Sequence, residues 1–204
     1  MILVEFLLSF AVLMIAMTVH EFAHGFVAYK FGDNTAKHSG RLTLNPLAHI
    51  DPIGTFLLPL LLFISTQGRF VFGAAKPVPV NYWALKNPKQ DMIWIGFSGP
   101  LANFLFAFLL SLLWKIIPPF PVTEYLFKQL IYINVILGTF NLIPIPPLDG
   151  SRILMGLLPE NLANKYALIE PYGFIIVIGL VALGVFDRVV WPISEFILKL
   201  VLFQ

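Results

Sequence analysis

Cysteine is absent from the 204 residues, and charge is scarce: Asp, Glu, Lys and Arg together make up 12% of the chain. Without cysteine there are no disulfides and no thiolate metal ligands, and the redox compartment stays undetermined. A soluble domain usually carries about 25% charged residues, so this chain is not an ordinary water-soluble one. The net charge is only +2 and the basic residues form no block, which excludes nucleic acid as an electrostatic partner. No polar stretch is long enough to build a core of its own, so no appended soluble domain is expected. The first residues lack a basic n-region and a small-residue cleavage site, so residues 1–30 are expected to stay in place as a helix.

Apolar sequence fills the space that charge leaves. Hydrophobic residues make up 58% and the mean hydropathy is +0.85, the signature of an integral membrane protein, here one unit over 1–204. A catalytic core is expected to about residue 157, with further helices over 171–203. Long uncharged or nearly uncharged runs cover 2–19, 92–114 and 129–148, with shorter ones at 171–186 and 189–203. The run at 52–68 contains Pro59 and is barely long enough, since a span needs roughly 20 residues. "RLTLN" (41–45), "RFVF" (69–72) and "PVPVN" (77–81) have β-like composition with Gly and Pro around them. The expected fold is therefore an all-α polytopic membrane protein of about five transmembrane helices. A re-entrant apolar segment and short membrane-edge β-strands are expected beside them.

Against that background "HEFAH" stands out, with His20, Glu21 and His24 closing the first apolar run. On a helix, residues four apart share one face, so the two imidazoles can grip one metal ion. Glu21 is offset around the helix, a poor third ligand but well placed to take a proton from water. The five-residue pattern alone is common. An ionisable group at bilayer depth costs about 2.5–3.5 kcal/mol and points to function. His20 lies about 27 Å along the helix from residue 2, near the far edge of the hydrocarbon, where polar groups are cheap. The interfacial reading therefore stands until a third ligand is found.

Catalytic zinc takes three protein ligands and keeps one position open. Asp149, in "NLIPIPPLDG" (141–150), is the candidate. Pro144, Pro146 and Pro147 break the apolar run before it, and irregular backbone at membrane depth is tolerated only inside protein or beside water. Alone, Asp149 reads equally well as a polar turn at the interface; beside HEFAH, the ligand reading is preferred. For the ends of their segments to meet, residues 52–68 must dip in and return rather than cross. That choice places Lys30, Lys37, Arg41, Arg69, Lys76, Lys86, Lys89, Arg152 and Lys165 on one side. By the positive-inside tendency this is the cytoplasmic side, with the N-terminus outside.

HEFAH in a membrane helix, "SGPLAN" (98–103) and "NLIPIPPLDG" together resemble the site-2 protease family of intramembrane zinc metalloproteases, peptidase family M50. "GRLTLNPLAHIDPIGT" and "AKPVPVN" look like its short, PDZ-free prokaryotic subgroup. The resemblance spans about residues 10–155 and rests on three motifs in order. It implies Zn2+ held by His20, His24 and Asp149, with Glu21 as catalytic base. Asn103 and Asn141 match polar positions near the active site and are substrate or oxyanion candidates, or equally amides that hydrogen-bond between helices. It implies a zinc endopeptidase in the cell membrane, multi-pass, acting in regulated intramembrane proteolysis. Its partners would be the lipid bilayer and a membrane-protein substrate, a single-pass helix or an anti-sigma-factor-like protein. PDZ and CBS domains have no counterpart here, so the filtering or nucleotide control they provide is not implied. Neither the substrate, the cleavage site nor the oligomeric state is readable.

The residues themselves leave a competitor: a non-catalytic metal-binding membrane protein or transporter. A transporter needs ligands along a path through the membrane, and 92–114 and 129–148 carry no charge. His49 and His38 read as surface histidines, although His49 could orient the site. Trp83 and Trp114 read as interface anchors. Gly138, Gly179 and Gly184 read as close helix contacts.

Overall fold

The computed structural model describes residues 2–57, 60–61, 64, 75–117 and 120–203. Its helices, numbered here in chain order, are α1 (Ile2–Lys30), α2 (Thr35–His38), α3 (Pro88–Ile116), α4 (Pro121–Asn141), α5 (Asp149–Leu157), α6 (Glu160–Ala167), α7 (Gly173–Ala182) and α8 (Trp191–Leu202). Among the described residues, three stretches are long and apolar enough to cross a membrane: Leu7–Lys30, Pro88–Ile116 and Glu160–Ala182. At 1.5 Å per residue, the 29 residues of α1 run about 44 Å, more than the hydrocarbon thickness.

The helix ends follow local chemistry. α1 stops where Gly32 takes a φ of +107°, which an L side chain resists. α3 opens with Pro88 in its first turn, where the missing N–H is no loss, and Asp91 Oδ2 accepts the Asn87 N–H at 2.9 Å. α4 ends at Asn141 because the prolines that follow cannot continue it. The chain then re-forms as α5 with Asp149 as first residue.

α1, α3 and α4 pack against one another, α5 lies on α3, and α8 lies against α3 and α4. Ala107, Leu110, Ile131, Val135, Leu198 and Val201 form the cluster where α3, α4 and α8 meet. A second cluster, Phe140, Leu148, Val177 and Val190, holds the end of α4 against α7. In lipid the helices gain little from the hydrophobic effect, so close packing and interhelical hydrogen bonds carry the association.

The structure corrects several expectations. Among the described residues there is no β-strand. In "RLTLN" the side chains take over the backbone: Thr43 Oγ1 accepts the Asn45 N–H, and Asn45 Oδ1 accepts that of Leu47. In "PVPVN" two prolines cannot donate, and two of the remaining amides go elsewhere: Val78 N–H to Glu21 Oε2 at 2.8 Å and Asn81 N–H to Asp33 Oδ2 at 2.7 Å. "RFVF" lies outside the described residues. So do residues 58–59, 62–63 and 65–68, and with them the expected return of 52–68; Pro52–Leu57 form a π-helical turn. The apolar run at 129–148 is not itself a helix: α4 begins at Pro121 and stops at Asn141. Its early charges are neutralised one turn apart, Lys128 Nζ on Glu124 Oε1 at 2.6 Å. Gly138 does serve close contact, since a Cβ there would lie 2.8 Å from the Phe104 ring. Gly179 and Gly184 have nothing within 4 Å, and Gly184 instead supplies the positive φ of a turn.

Candidate metal centre

α1 presents His20 and His24 one turn apart, as the four-residue spacing requires. Their Nε2 atoms lie 3.0 Å apart and the rings stand edge to face. α5 begins at Asp149 and points Oδ2 between them, 2.9 Å from His20 Nε2 and 3.2 Å from His24 Nε2. Both histidines are buried. Residues 125 positions apart in sequence thus share one point.

The opposite ring nitrogens are committed. His20 Nδ1–H donates to Asn103 Oδ1 at 2.6 Å, and His24 Nδ1–H donates to the Ile95 carbonyl at 2.6 Å. With Nδ1 protonated in each neutral ring, both Nε2 atoms carry lone pairs. Three acceptors therefore converge on one another with no proton required between them, an arrangement that a cation satisfies. Among the described residues, His20, His24 and Asp149 are the group of ligating side chains close enough to hold a metal ion. Two imidazoles and a carboxylate suit zinc, and the partners on Nδ1 are of the kind that fix ligating histidines.

Asn103 is corrected from its expected role. It is fully buried behind His20, outside the lining of the cavity. Its Nδ2 donates to the Ala16 carbonyl at 3.1 Å and to Asn134 Oδ1 at 2.7 Å. Asn134 Nδ2 in turn donates to the Leu130 carbonyl at 2.7 Å. Every polar atom of this pair is occupied away from the space a substrate could enter. Asn141 does line that space, and its Nδ2 bonds the Leu137 carbonyl one turn back at 3.0 Å.

Glycine makes room for the imidazoles. A Cβ on Gly99 would lie 2.4 Å from His24 Nε2 and 2.7 Å from His20 Cε1, so "SGPLAN" supplies a flat surface on α3 at the metal donors. Gly150 does the same behind Asp149, where a Cβ would meet the Leu142 carbonyl oxygen at 2.3 Å.

The donors open onto a cavity of about 490 Å³. Glu21 lines it, its Oε2 held by the Val78 N–H. The rest is mostly apolar, including Met17, Ile95, Leu137, Phe140, Val177 and Phe174, with Arg152 and Tyr82 also in the wall. His49 is not a surface residue. It is fully buried, and its Nε2–H donates to the Thr43 carbonyl at 2.9 Å. His38 is exposed as expected. Sequence reading missed Asn134, Gly99 and Arg152. Asn134 carried a signal, being an amide in an uncharged run.

The family model described as peptidase family M50 matches residues 120–181. The chain is 39% identical over 189 residues to YwhC of Bacillus subtilis, covering 88% of this chain and 82% of that one. It is 31% identical over 185 residues to Rip2 of Mycolicibacterium smegmatis, covering 90% and 70%. Both relatives are named as candidate zinc metalloproteases. No solved structure matches the chain.

Proposed function

The chain belongs to peptidase family M50, and from that premise we propose that it is a zinc endopeptidase cutting membrane-spanning or membrane-near segments of partner proteins. The observation that carries the reading is the convergence of His20 Nε2, His24 Nε2 and Asp149 Oδ2, each within 3.2 Å of the others, beside a carboxylate in an apolar cavity. His20, His24 and Asp149 are the residues that would hold zinc. Bound there, it supplies Lewis acidity that polarises a scissile carbonyl and makes water more acidic.

The chain's own residues do the remainder. Glu21 takes a proton from the attacking water as the C–O bond forms, and delivers it to the amide nitrogen as the C–N bond breaks. The Val78 N–H holds Glu21 Oε2, leaving the other oxygen for that proton. Asn103 and the Ile95 carbonyl keep the imidazoles turned inward. Asn141 stands at the cavity wall with one Nδ2 hydrogen on the Leu137 carbonyl, and its second Nδ2 hydrogen is the candidate donor to the developing oxyanion. The apolar wall excludes bulk water and accepts hydrophobic side chains.

Membrane placement follows the same proposal. α4, 21 residues long, is a further span with its Glu124–Lys128 pair at the interface, and the α7–α8 region completes the crossings. The metal donors face the cytoplasmic side, and the substrate is a membrane protein.

The test pairs composition with activity. Detergent-purified wild type should hold about one zinc per chain, and Asp149→Ala and His20→Ala should lose most of it. Glu21→Gln should keep the metal and lose cleavage of co-reconstituted single-pass substrates. Zinc retained in Asp149→Ala, or cleavage by Glu21→Gln at the wild-type rate, would end the proposal.

A further inference from the structure

Arg152 is the one lysine or arginine in the wall of this cavity among the described residues. It sits three residues after Asp149 on α5, so the two side chains share a helix face. Its guanidinium is 6.0 Å from the centre of the Tyr82 ring. Its remaining partner is Glu170, in the turn before α7: Arg152 Nη2 bonds Glu170 Oε1, and Nη1 is 3.4 Å from Oε2. The Glu170 side chain is 43% exposed, against 28% for Arg152.

These facts separate Arg152 from an ordinary surface pair. Glu170 approaches from the more exposed side, so a carboxylate arriving from within the cavity can take its place at the same donors. A fork of parallel N–H donors suits a carboxylate better than any other group a polypeptide carries. The surrounding wall is apolar, so an apolar chain lying in the cavity meets one fixed positive charge beside the metal donors.

The geometry points to Arg152 as a specificity-determining residue that binds a carboxylate of the substrate, with Glu170 filling that place in the resting protein. This rests on the protease reading and narrows it to apolar segments carrying a carboxylate close to the scissile bond. The carboxylate comes either from an Asp or Glu side chain or from the free C-terminus of a shortened chain; the chemistry at Arg152 is the same.

The experiment uses the zinc-loaded full chain in detergent and a set of Leu/Ala-rich membrane-segment peptides. Glu or Gln is scanned along each peptide, and each is made with a free or an amidated C-terminus. Cleavage is followed with wild type, and binding with Glu21→Gln by fluorescence anisotropy. Carboxylate peptides should be preferred about ten- to hundredfold, the range of a charge-assisted hydrogen bond, with the difference in KM. Arg152→Gln should erase the preference and Arg152→Lys keep part of it. Arg152→Glu should transfer it to a matching Lys peptide, a rescue that a purely structural role would not produce. Glu170→Gln should lower KM for the acidic peptides. A preference following amidation identifies the C-terminus as the source, and one following Glu identifies the side chain. Equal handling of all peptides, or a preference surviving Arg152→Gln, overturns the inference. Binding with the expected preference but no cleavage by wild type would overturn the protease reading and leave Arg152 standing; neither binding nor cleavage overturns both.

Discussion

At the scale of the residue, the metal donors are positioned by atoms that never touch a metal. Asn103 holds His20 Nδ1 and is itself held by Asn134. Removing such a partner typically lowers metal affinity ten- to hundredfold. Asn103→Ala should therefore weaken zinc binding by about that factor in competition with a chromogenic chelator, with Asn134→Leu smaller in effect. Gly99→Ala should do more. Its methyl would occupy space 2.4 Å from His24 Nε2, so zinc should be lost although every ligand is intact, and the helical circular dichroism should persist. The ligands were legible in the sequence because their chemistry resides in residue identity: two histidines at helical spacing and one carboxylate after broken backbone. The positioning of Asn103 was not legible. An amide reads the same whether it faces a cavity or the back of an imidazole, and only the packing of α3 against α1 and α4 decides.

At the scale of the element, α5 is the moving part of the assembly problem, because it alone carries the third donor. It lies on α3 through small residues: a Cβ on Gly156 would meet Ile93 Cγ1 at 2.3 Å and the Lys89 carbonyl oxygen at 2.7 Å. Gly156→Leu should lift α5 away from α3, withdrawing Asp149 while α1, α3 and α4 keep their mutual contacts. Zinc content should fall as far as in Asp149→Ala, with trypsin resistance of the three long helices unchanged. Long helices were readable from uncharged runs, but their limits were not. The uncharged run at 129–148 misplaces the C-terminal end of α4, because the prolines after Asn141 stop the helix while the sequence stays apolar. The strand reading of "PVPVN" failed for a complementary reason, as carboxylates on α1 and at Asp33 take the amides a neighbouring strand would otherwise bond.

At the scale of the whole molecule, the site joins the first helix to a short helix 125 positions later. A ligand that binds only this joined state stabilises it by mass action, about 4 kcal/mol at a thousandfold excess over its dissociation constant. Stripping zinc with a chelator should lower the melting temperature of the wild type by several degrees, and should leave Asp149→Ala unmoved. Membrane placement has its own test: tags at residues 40 and 75 should report the same side of the bilayer, and opposite sides would contradict the proposed crossings. The membrane character was legible from charge scarcity together with the high mean hydropathy. The number of crossings was not, because after α5 the apolar sequence is divided among short helices by turns at Gly184 and at the π-helical Phe186–Val190.

The hydrogen bond from the Val78 N–H to Glu21 has a consequence for genetics. Its donor belongs to the main chain, so exchanging the side chain at 78 for another apolar one leaves it in place. Only proline deletes it, and Pro77 and Pro79 already flank the position. A saturation scan of this chain should score Glu21 as intolerant and Val78, which is buried, as tolerant of apolar residues of similar size, with a sharp failure at Val78→Pro. Alanine scanning at 78 removes only the buried side chain and leaves the main-chain donor in place, so it would miss the hydrogen-bond partner of the proposed catalytic base.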